Sequence, residues 1–128
     1  MCLAPSNLVP RPIFMTDCLF CKIIKGELPA DFVYKNDQVA VFKSIDPKAP
    51  IHLLVVPVSN NDRHIDSIDS LEQGDRGIIS ELFLVAKKVA HDFNLDQTGY
   101  KLVFNVGRGG GQVIDHLHLH LLGGWGGN

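Results

Sequence analysis

Two periods organise the apolar positions of this chain. From Asp75 to Phe93 the residues Ile78, Ile79, Leu82, Phe83, Ala86, Val89, Ala90 and Phe93 recur at helical spacing, predicting one amphipathic helix with Lys87, Lys88 and Asp92 on its wet side. The other apolar runs are short. Cys18–Ile24, ended by Gly26 and Pro29, suits one or two helical turns. Phe32–Tyr34 and Val39–Phe42, broken by Asn36-Asp37, predict a hairpin. Ile51–Val56 reads as a buried strand, Pro57–Asp69 as a polar loop, and Tyr100–Val106 as a further strand. The sum is an α+β fold, a five-stranded antiparallel sheet with one long helix and a short N-terminal helix.

The last strand carries the most informative pattern. His116-Leu117-His118-Leu119-His120-Leu121 alternates imidazole with leucine. In a strand, alternate side chains share a face, so the three histidines line up while the leucines point to a core. Histidine is a poor core residue and a weak strand former, so packing does not account for the row. Each imidazole titrates near neutrality and can serve as base, acid, nucleophile or metal ligand.

Composition narrows the possible roles. The 128 residues fit one domain with a modest core, and no apolar run approaches the length of a bilayer span. Twelve Lys and Arg against fourteen Asp and Glu give a net charge of −2, with no basic footprint for nucleic acid and no polybasic membrane patch. Met1–Phe14, with Pro5, Pro10 and Pro12, reads as a poorly ordered extension lacking a secretory signal, and residues 15–128 as the domain. Met15 is an alternative start. The cysteines Cys2, Cys18 and Cys21 are odd in number, which argues for a reducing compartment and a cytoplasmic location.

Three further features bear on chemistry. Gly107-Arg108-Gly109-Gly110-Gly111, just before the histidine row, can expose backbone N–H groups to an anion. Beside it a histidine nucleophile could form a phospho-histidine bond. His52, in the buried strand, adds a fourth imidazole, and Asn105 closes the strand before the glycine turn. Cys18 and Cys21 are spaced so that both thiolates can reach one Zn²⁺; a redox pair and two unconnected thiols are the other readings.

With these segments in hand, the chain resembles the Hint branch of the histidine triad (HIT) family from about Asp17 to Gly124. The segments are the histidine row preceded by Gly111-Gln112-Val113, the opening Cys18-Leu19-Phe20-Cys21-Lys22-Ile23-Ile24, Asp46-Pro47-Lys48-Ala49-Pro50-Ile51-His52, and Tyr100-Lys101-Leu102-Val103-Phe104-Asn105. The resemblance implies a purine nucleotide hydrolase or transferase acting on nucleoside 5′-phosphoramidates, with a homodimer in which two sheets join edge to edge. It makes His118 the nucleophile. His120 and His52 would contact the phosphate and the breaking bond, and His116 would orient the nucleophile's surroundings. It implies nucleotide contacts from Leu19, Phe20, Ile23, Ser44, Ile45, Leu54, Asn105, Gly111, Gln112 and Val113. For zinc it implies His64 and His116 beside Cys18 and Cys21, the ion being structural and no cofactor being required for the chemistry. The link Pro57–Arg63 is longer than the family's usual one, which would displace His64.

Two positions depart from the family pattern. Ser44 stands where an acidic residue usually holds the ribose hydroxyls, and Val113 where a hydroxyl residue helps protonate the leaving group. The C-terminal segment Gly123-Gly124-Trp125-Gly126-Gly127-Asn128 is also short. Besides the phosphoramidate hydrolase, the readings left open are a dinucleoside polyphosphate hydrolase, a non-catalytic nucleotide-binding or scaffold module, and a catalytic transition-metal site on the histidine row. The last would usually recruit carboxylates, and Asp115 alternates to the leucine side.

Overall fold

A computed structural model describes residues 18–58 and 63–126. The expectations for Met1–Phe14, Met15 and Cys2 lie outside the described residues. Five antiparallel strands form one sheet: β1 (Phe32–Lys35), β2 (Val39–Lys43), β3 (Ile51–Pro57), β4 (Tyr100–Val103) and β5 (Leu119–Gly123). Their spatial order is β1-β2-β3-β5-β4, so the histidine-bearing β5 is inserted between β3 and β4. The short helix α1 (Leu19–Ile24) and the long helix α2 (Arg76–Asp92) complete the α+β architecture.

Local chemistry explains the joints. In the β1–β2 turn the Asn36 carboxamide oxygen accepts from the backbone N–H groups of Gln38 and Val39, both at 2.8 Å. A capping box between Glu72 and Asp75 starts the turn that leads into α2, and Arg63 grips the Asp75 carboxylate through Nε and Nη2 at 3.1 and 2.8 Å. After α2, Asn94 takes a left-handed conformation (φ 61°) and ends the helix.

Alternation in the strands divides the core. Val39 and Val41 of β2, Leu53 and Val55 of β3, and Leu117, Leu119 and Leu121 pack with Leu82, Val85, Ala86, Val89 and Ala90 of α2. On the opposite face Ala40, Phe42, Leu54 and Val56 pack against Phe20 and Ile23 of α1. The sheet is thus covered by α2 on one side and partly by α1 on the other, and the histidines share the α1 side.

The structure corrects several boundaries. The buried stripe of α2 includes Val85, while Phe83 is 42% exposed at its edge, because Leu82, Ala86 and Val89 centre the stripe a residue away from Phe83. Pro57 still pairs with Val39, extending β3, and the expected polar loop buries Ile65 and contains a 3₁₀ turn, Ile68–Ser70. β4 stops at Val103 and β5 begins only at Leu119, so His116, in a bend, and His118 lie just ahead of the strand. The alternation still holds there, but packing buries the row: His116 is 1% and His118 8% exposed.

Candidate functional site

Strand register builds the first half of the site. Leu54 pairs with His120 and His52 with Leu122, which sets His52 and His120 diagonally on one face. His52 Nε2 lies 2.9 Å from His120 Nδ1. The backbone N–H of Lys48 donates to His52 Nδ1 at 3.0 Å. A neutral imidazole has one donor and one acceptor, so this bond fixes the proton of His52 on Nε2. His52 Nε2–H then donates to His120 Nδ1, and His120 carries its own proton on Nε2. The Asn105 side-chain nitrogen stands 3.3 Å from that Nε2. Two donors would face each other, which the amide relieves by turning its oxygen inward.

His118 is held by another bond. Its Nδ1–H donates to the carbonyl of His116 at 2.6 Å, leaving the Nε2 lone pair free. The Phe20 ring meets it edge-on at 5.1 Å, and the His120 ring lies 4.8 Å away. Burial and the positive charge of neighbouring groups lower the basicity of His52, and burial that of His118 despite its backbone hydrogen bond. His120 falls to about 4 through burial and the charges of His118 and His52. The site therefore offers a neutral nucleophile beside a neutral Nε2–H donor, a pairing suited to attack on phosphorus with a hydrogen bond to its oxygen.

The first histidine of the row turns elsewhere. His116 Nε2–H donates to the Pro57 carbonyl at 3.0 Å, so Nδ1 faces Cys18 Sγ at 3.2 Å and Cys21 Sγ at 3.6 Å. His64 Nδ1 bonds to the Asp66 carboxylate at 2.7 Å, and its Nε2 approaches Cys18 Sγ at 3.2 Å. The longer link does not displace His64. One donor atom from each of Cys18, Cys21, His64 and His116 lies within 4.8 Å of the others. Zn–N of about 2.0 Å and Zn–S of about 2.3 Å in a tetrahedron require donor separations of roughly 3.3–3.8 Å. The Cys18–His116, Cys18–His64 and Cys21–His116 separations of 3.2, 3.2 and 3.6 Å lie near that range. The widest pair, at up to 4.8 Å, would close by about 1 Å around Zn²⁺, while the carbonyl and carboxylate behind the two imidazoles hold the ligating nitrogens in place. Burial would raise the Cys18 thiol, but hydrogen bonds from His116, His64 and Cys21 outweigh it and bring it to about 5. The hydrogen bond with Cys18 raises His64, so without metal the two share a proton that a metal would displace.

The remaining expected residues divide between pocket, rim and frame. Phe20, Ile23 and Leu54 are buried together against the α1 side of the sheet, while Leu19 is partly exposed and Ile45 is 93% exposed. Ser44 Oγ accepts from the Asp46 backbone N–H at 3.2 Å, which leaves it weakly available to a ligand. Gly111 has φ 93°, a conformation that favours glycine, and a Cβ there would touch the Asn105 side chain at 3.8 Å. Val113 is 75% exposed. Gln112 turns inward. Its amide accepts from Gly107 N–H at 3.0 Å and donates to the carbonyls of Asp66 and Ile114 at 2.7 and 2.9 Å, so its side chain frames the glycine turn. Asp115 is exposed and paired with Arg108 instead of pointing with the leucines, because the strand has not yet begun.

Sequence reasoning did not single out the Lys48 amide, the Pro57 carbonyl, Asp66 or Arg108. Only Asp66 left a signal, a carboxylate two residues beyond His64. The backbone groups have none, since any residue could supply them.

Comparisons with known proteins bear on the same residues. A family model described as "Scavenger mRNA decapping enzyme C-term binding" matches residues 17–124. The chain is similar to a purine nucleoside phosphoramidase of Escherichia coli (strain K12), 36% identical over 108 residues that cover 84% of this chain and 87% of that protein. An uncharacterised HIT-like protein of Buchnera aphidicola (subsp. Baizongia pistaciae, strain Bp) is 39% identical over 110 residues, 86% of this chain and 95% of the relative. Among solved structures, a HIT family hydrolase from Legionella pneumophila Philadelphia 1 superposes with a TM-score of 0.79 at 42% identity, covering 88% of this chain and all (100%) of that one. A histidine triad protein from Clostridium difficile gives 0.78 at 42% identity, over 84% of this chain and 90% of its own.

Proposed function

The chain belongs to the histidine triad (HIT) family, and from that premise we propose that it hydrolyses purine nucleoside 5′-phosphoramidates, adenylylated amines included, through a nucleotidyl-histidine intermediate. The observation that carries this reading is the tautomer pattern: His118 Nε2 holds a free lone pair while the chain from Lys48 through His52 gives His120 an Nε2–H donor. His118 Nε2 attacks phosphorus, the P–N bond breaks, and the nitrogen leaves as the amine with a proton taken from solvent, since Val113 offers none. Water then displaces His118, returns a proton to solvent and releases the nucleoside 5′-monophosphate. His120 steadies the phosphoryl oxygens by hydrogen bonding. His52, held between the Lys48 amide and His120, positions His120, whose Nε2–H exchanges the Asn105 side chain for a phosphoryl oxygen. The apolar group of Phe20, Ile23 and Leu54 receives the base, with Leu19 and Ile45 at its rim.

The Cys18, Cys21, His64 and His116 donors would hold a structural zinc. When bound, the ion would supply a closed tetrahedral tie between α1 and the approach to β5, with no open position for chemistry. A homodimer joined along the β4 edge completes the proposed assembly.

The test is hydrolysis of adenosine 5′-phosphoramidate by purified protein, with and without chelator. Turnover that persists in chelator and vanishes in His118→Ala supports the reading, provided the variant keeps its fold and still binds AMP. Wild-type protein that binds AMP but turns nothing over would leave a nucleotide-binding module. Activity lost to chelator and restored by metal, in a chain whose fold and AMP binding the chelator leaves unchanged, would favour metal chemistry over a structural ion. Faster cleavage of a dinucleoside polyphosphate would reassign the substrate.

A further inference from the structure

Arg108 begins the short turn Arg108–Gly110, and its guanidinium folds forward across the next four residues. Nη1 donates to the Gln112 carbonyl at 2.7 Å, and Nη2 donates to Asp115 Oδ2 at 3.0 Å. The fork therefore spans the stretch that contains exposed Val113 and leads directly into His116. The same turn leans on the triad: Gly111 stands against Asn105, and Asn105 lies 3.3 Å from His120 Nε2. The apolar cluster that would take the base lies on the α1 side of the site. A departing group that extends from His118 past His120 and Asn105 would meet the glycine turn that Arg108 opens.

Two properties make this guanidinium available to a ligand. The Arg108 and Asp115 side chains are 64% and 62% exposed, so their ion pair is well hydrated and adds little stability. The bond to the Gln112 carbonyl holds the planar fork in place whether or not Asp115 occupies its other edge. A carboxylate or a phosphate could replace Asp115 on Nη2 through a charge-assisted hydrogen bond.

On the phosphoramidate reading above, we propose that Arg108 is a specificity-determining residue that selects leaving groups carrying an anion beyond the departing nitrogen, with Asp115 as the internal competitor it exchanges. Val113 gives that group an apolar neighbour and no hydrogen bond, which leaves the guanidinium as the discriminating contact on this side.

The experiment compares phosphoramidates of one nucleotide whose leaving amines are matched in basicity. One amine bears a carboxylate, one a phosphate monoester, and one a neutral carboxamide. The ratio of kcat/KM for each anionic substrate to the neutral one is measured in wild type, Arg108→Gln and Asp115→Asn. Arg108→Gln should lower the anionic ratio roughly three- to fivefold, chiefly through KM, as befits loss of one solvated charge contact. Asp115→Asn should raise it, and added salt should shrink both differences. A shift confined to the carboxylate arm, or to the phosphate arm, names the anion and supports the proposal. A purely structural clamp would change all three substrates alike, and that result overturns it while leaving the hydrolase reading intact. Failure of the wild-type protein to cleave any of the three overturns both.

Discussion

At the scale of single residues, the site is a set of imidazoles whose protons are assigned by fixed neighbours. Lys48 N–H reaches His52, and the His116 carbonyl reaches His118; neither backbone group can exchange its role. Burial lowers His52 below its ordinary value of 6.5, and burial with the charges of His118 and His52 lowers His120 to about 4; Lys48 reinforces the effect at His52 and Asp46 offsets part of it. The unfolded chain thus binds protons on these two rings more readily than the folded one. Their contribution to stability should be complete above about pH 6.5 and should drain away as pH falls toward 4. Thermal melts of wild type and His120→Gln across that window check this: the wild type should lose more of its melting temperature, and parallel curves would refute the assignment. The departures at Ser44 and Val113 carry a second prediction. A neutral hydroxyl bond contributes only about 0.5–1.5 kcal/mol, and Ser44 cannot offer the charged acceptor of a carboxylate, so ribose and 2′-deoxyribose nucleotides should bind nearly alike. Ser44→Asp should favour ribose. General acid assistance is worth roughly 10²–10⁴-fold, so without a donor at Val113 rates should fall steeply with leaving-amine basicity, and Val113→Ser should flatten that slope.

At the scale of elements, what the sequence reveals depends on whether the cause is local. The alternation in Leu117–Leu121 was legible because a strand approach repeats every second residue, and the stripe of α2 was legible for the analogous helical reason. The cysteine pair sits where a short helix was expected, with Cys18 accepting from Cys21 N–H at its start. What could not be read is the pairing of distant segments. Nothing local predicts that Gln112 bonds to the Asp66 carbonyl, or that Leu117 N–H donates to Ile65 and brings the His64 segment beside the row. That the histidine row forms a site was legible, but not its burial, which comes from Phe20 of α1 packing on His116 and His118 and from His64 and the two cysteines against His116. That packing makes the thiol cluster the tie for α1, a helix of six residues, too short to persist alone. Zinc should therefore be stoichiometric, and Cys18→Ser or Cys21→Ser should lose it and lower the melting temperature. Elemental analysis of untagged protein, paired with calorimetry, checks both. Full stability after complete metal removal would make the thiols inert.

At the scale of the whole molecule, the sheet ends on two unequal edges. β1 is four residues long, its register with β2 breaks between Phe32 and Tyr34, and a lysine closes it, devices that blunt an edge. β4 has β5 on one side and, among the described residues, no strand on the other. Beside it α2 presents Phe83, 42% exposed, whose ring meets Phe104, just past β4, edge-on at 6.0 Å. An unpaired strand next to an apolar helix flank is a surface that a second copy can cover about a two-fold axis, each β4 supplying the partner the other lacks. No helix among the described residues is long and apolar enough to cross a membrane, so this flank is not part of a spanning helix. We expect a homodimer with one sheet running through both copies, and light scattering at micromolar concentration should report twice the chain mass of 14.1 kDa. Phe83→Glu places a carboxylate on the proposed interface while leaving the buried α2 stripe of Leu82, Val85, Ala86 and Val89 untouched. It should yield a folded protein of half the wild-type mass, with its circular dichroism preserved. A wild-type chain that scatters as a monomer, or a Phe83→Glu variant that remains a dimer, would move the interface away from this edge.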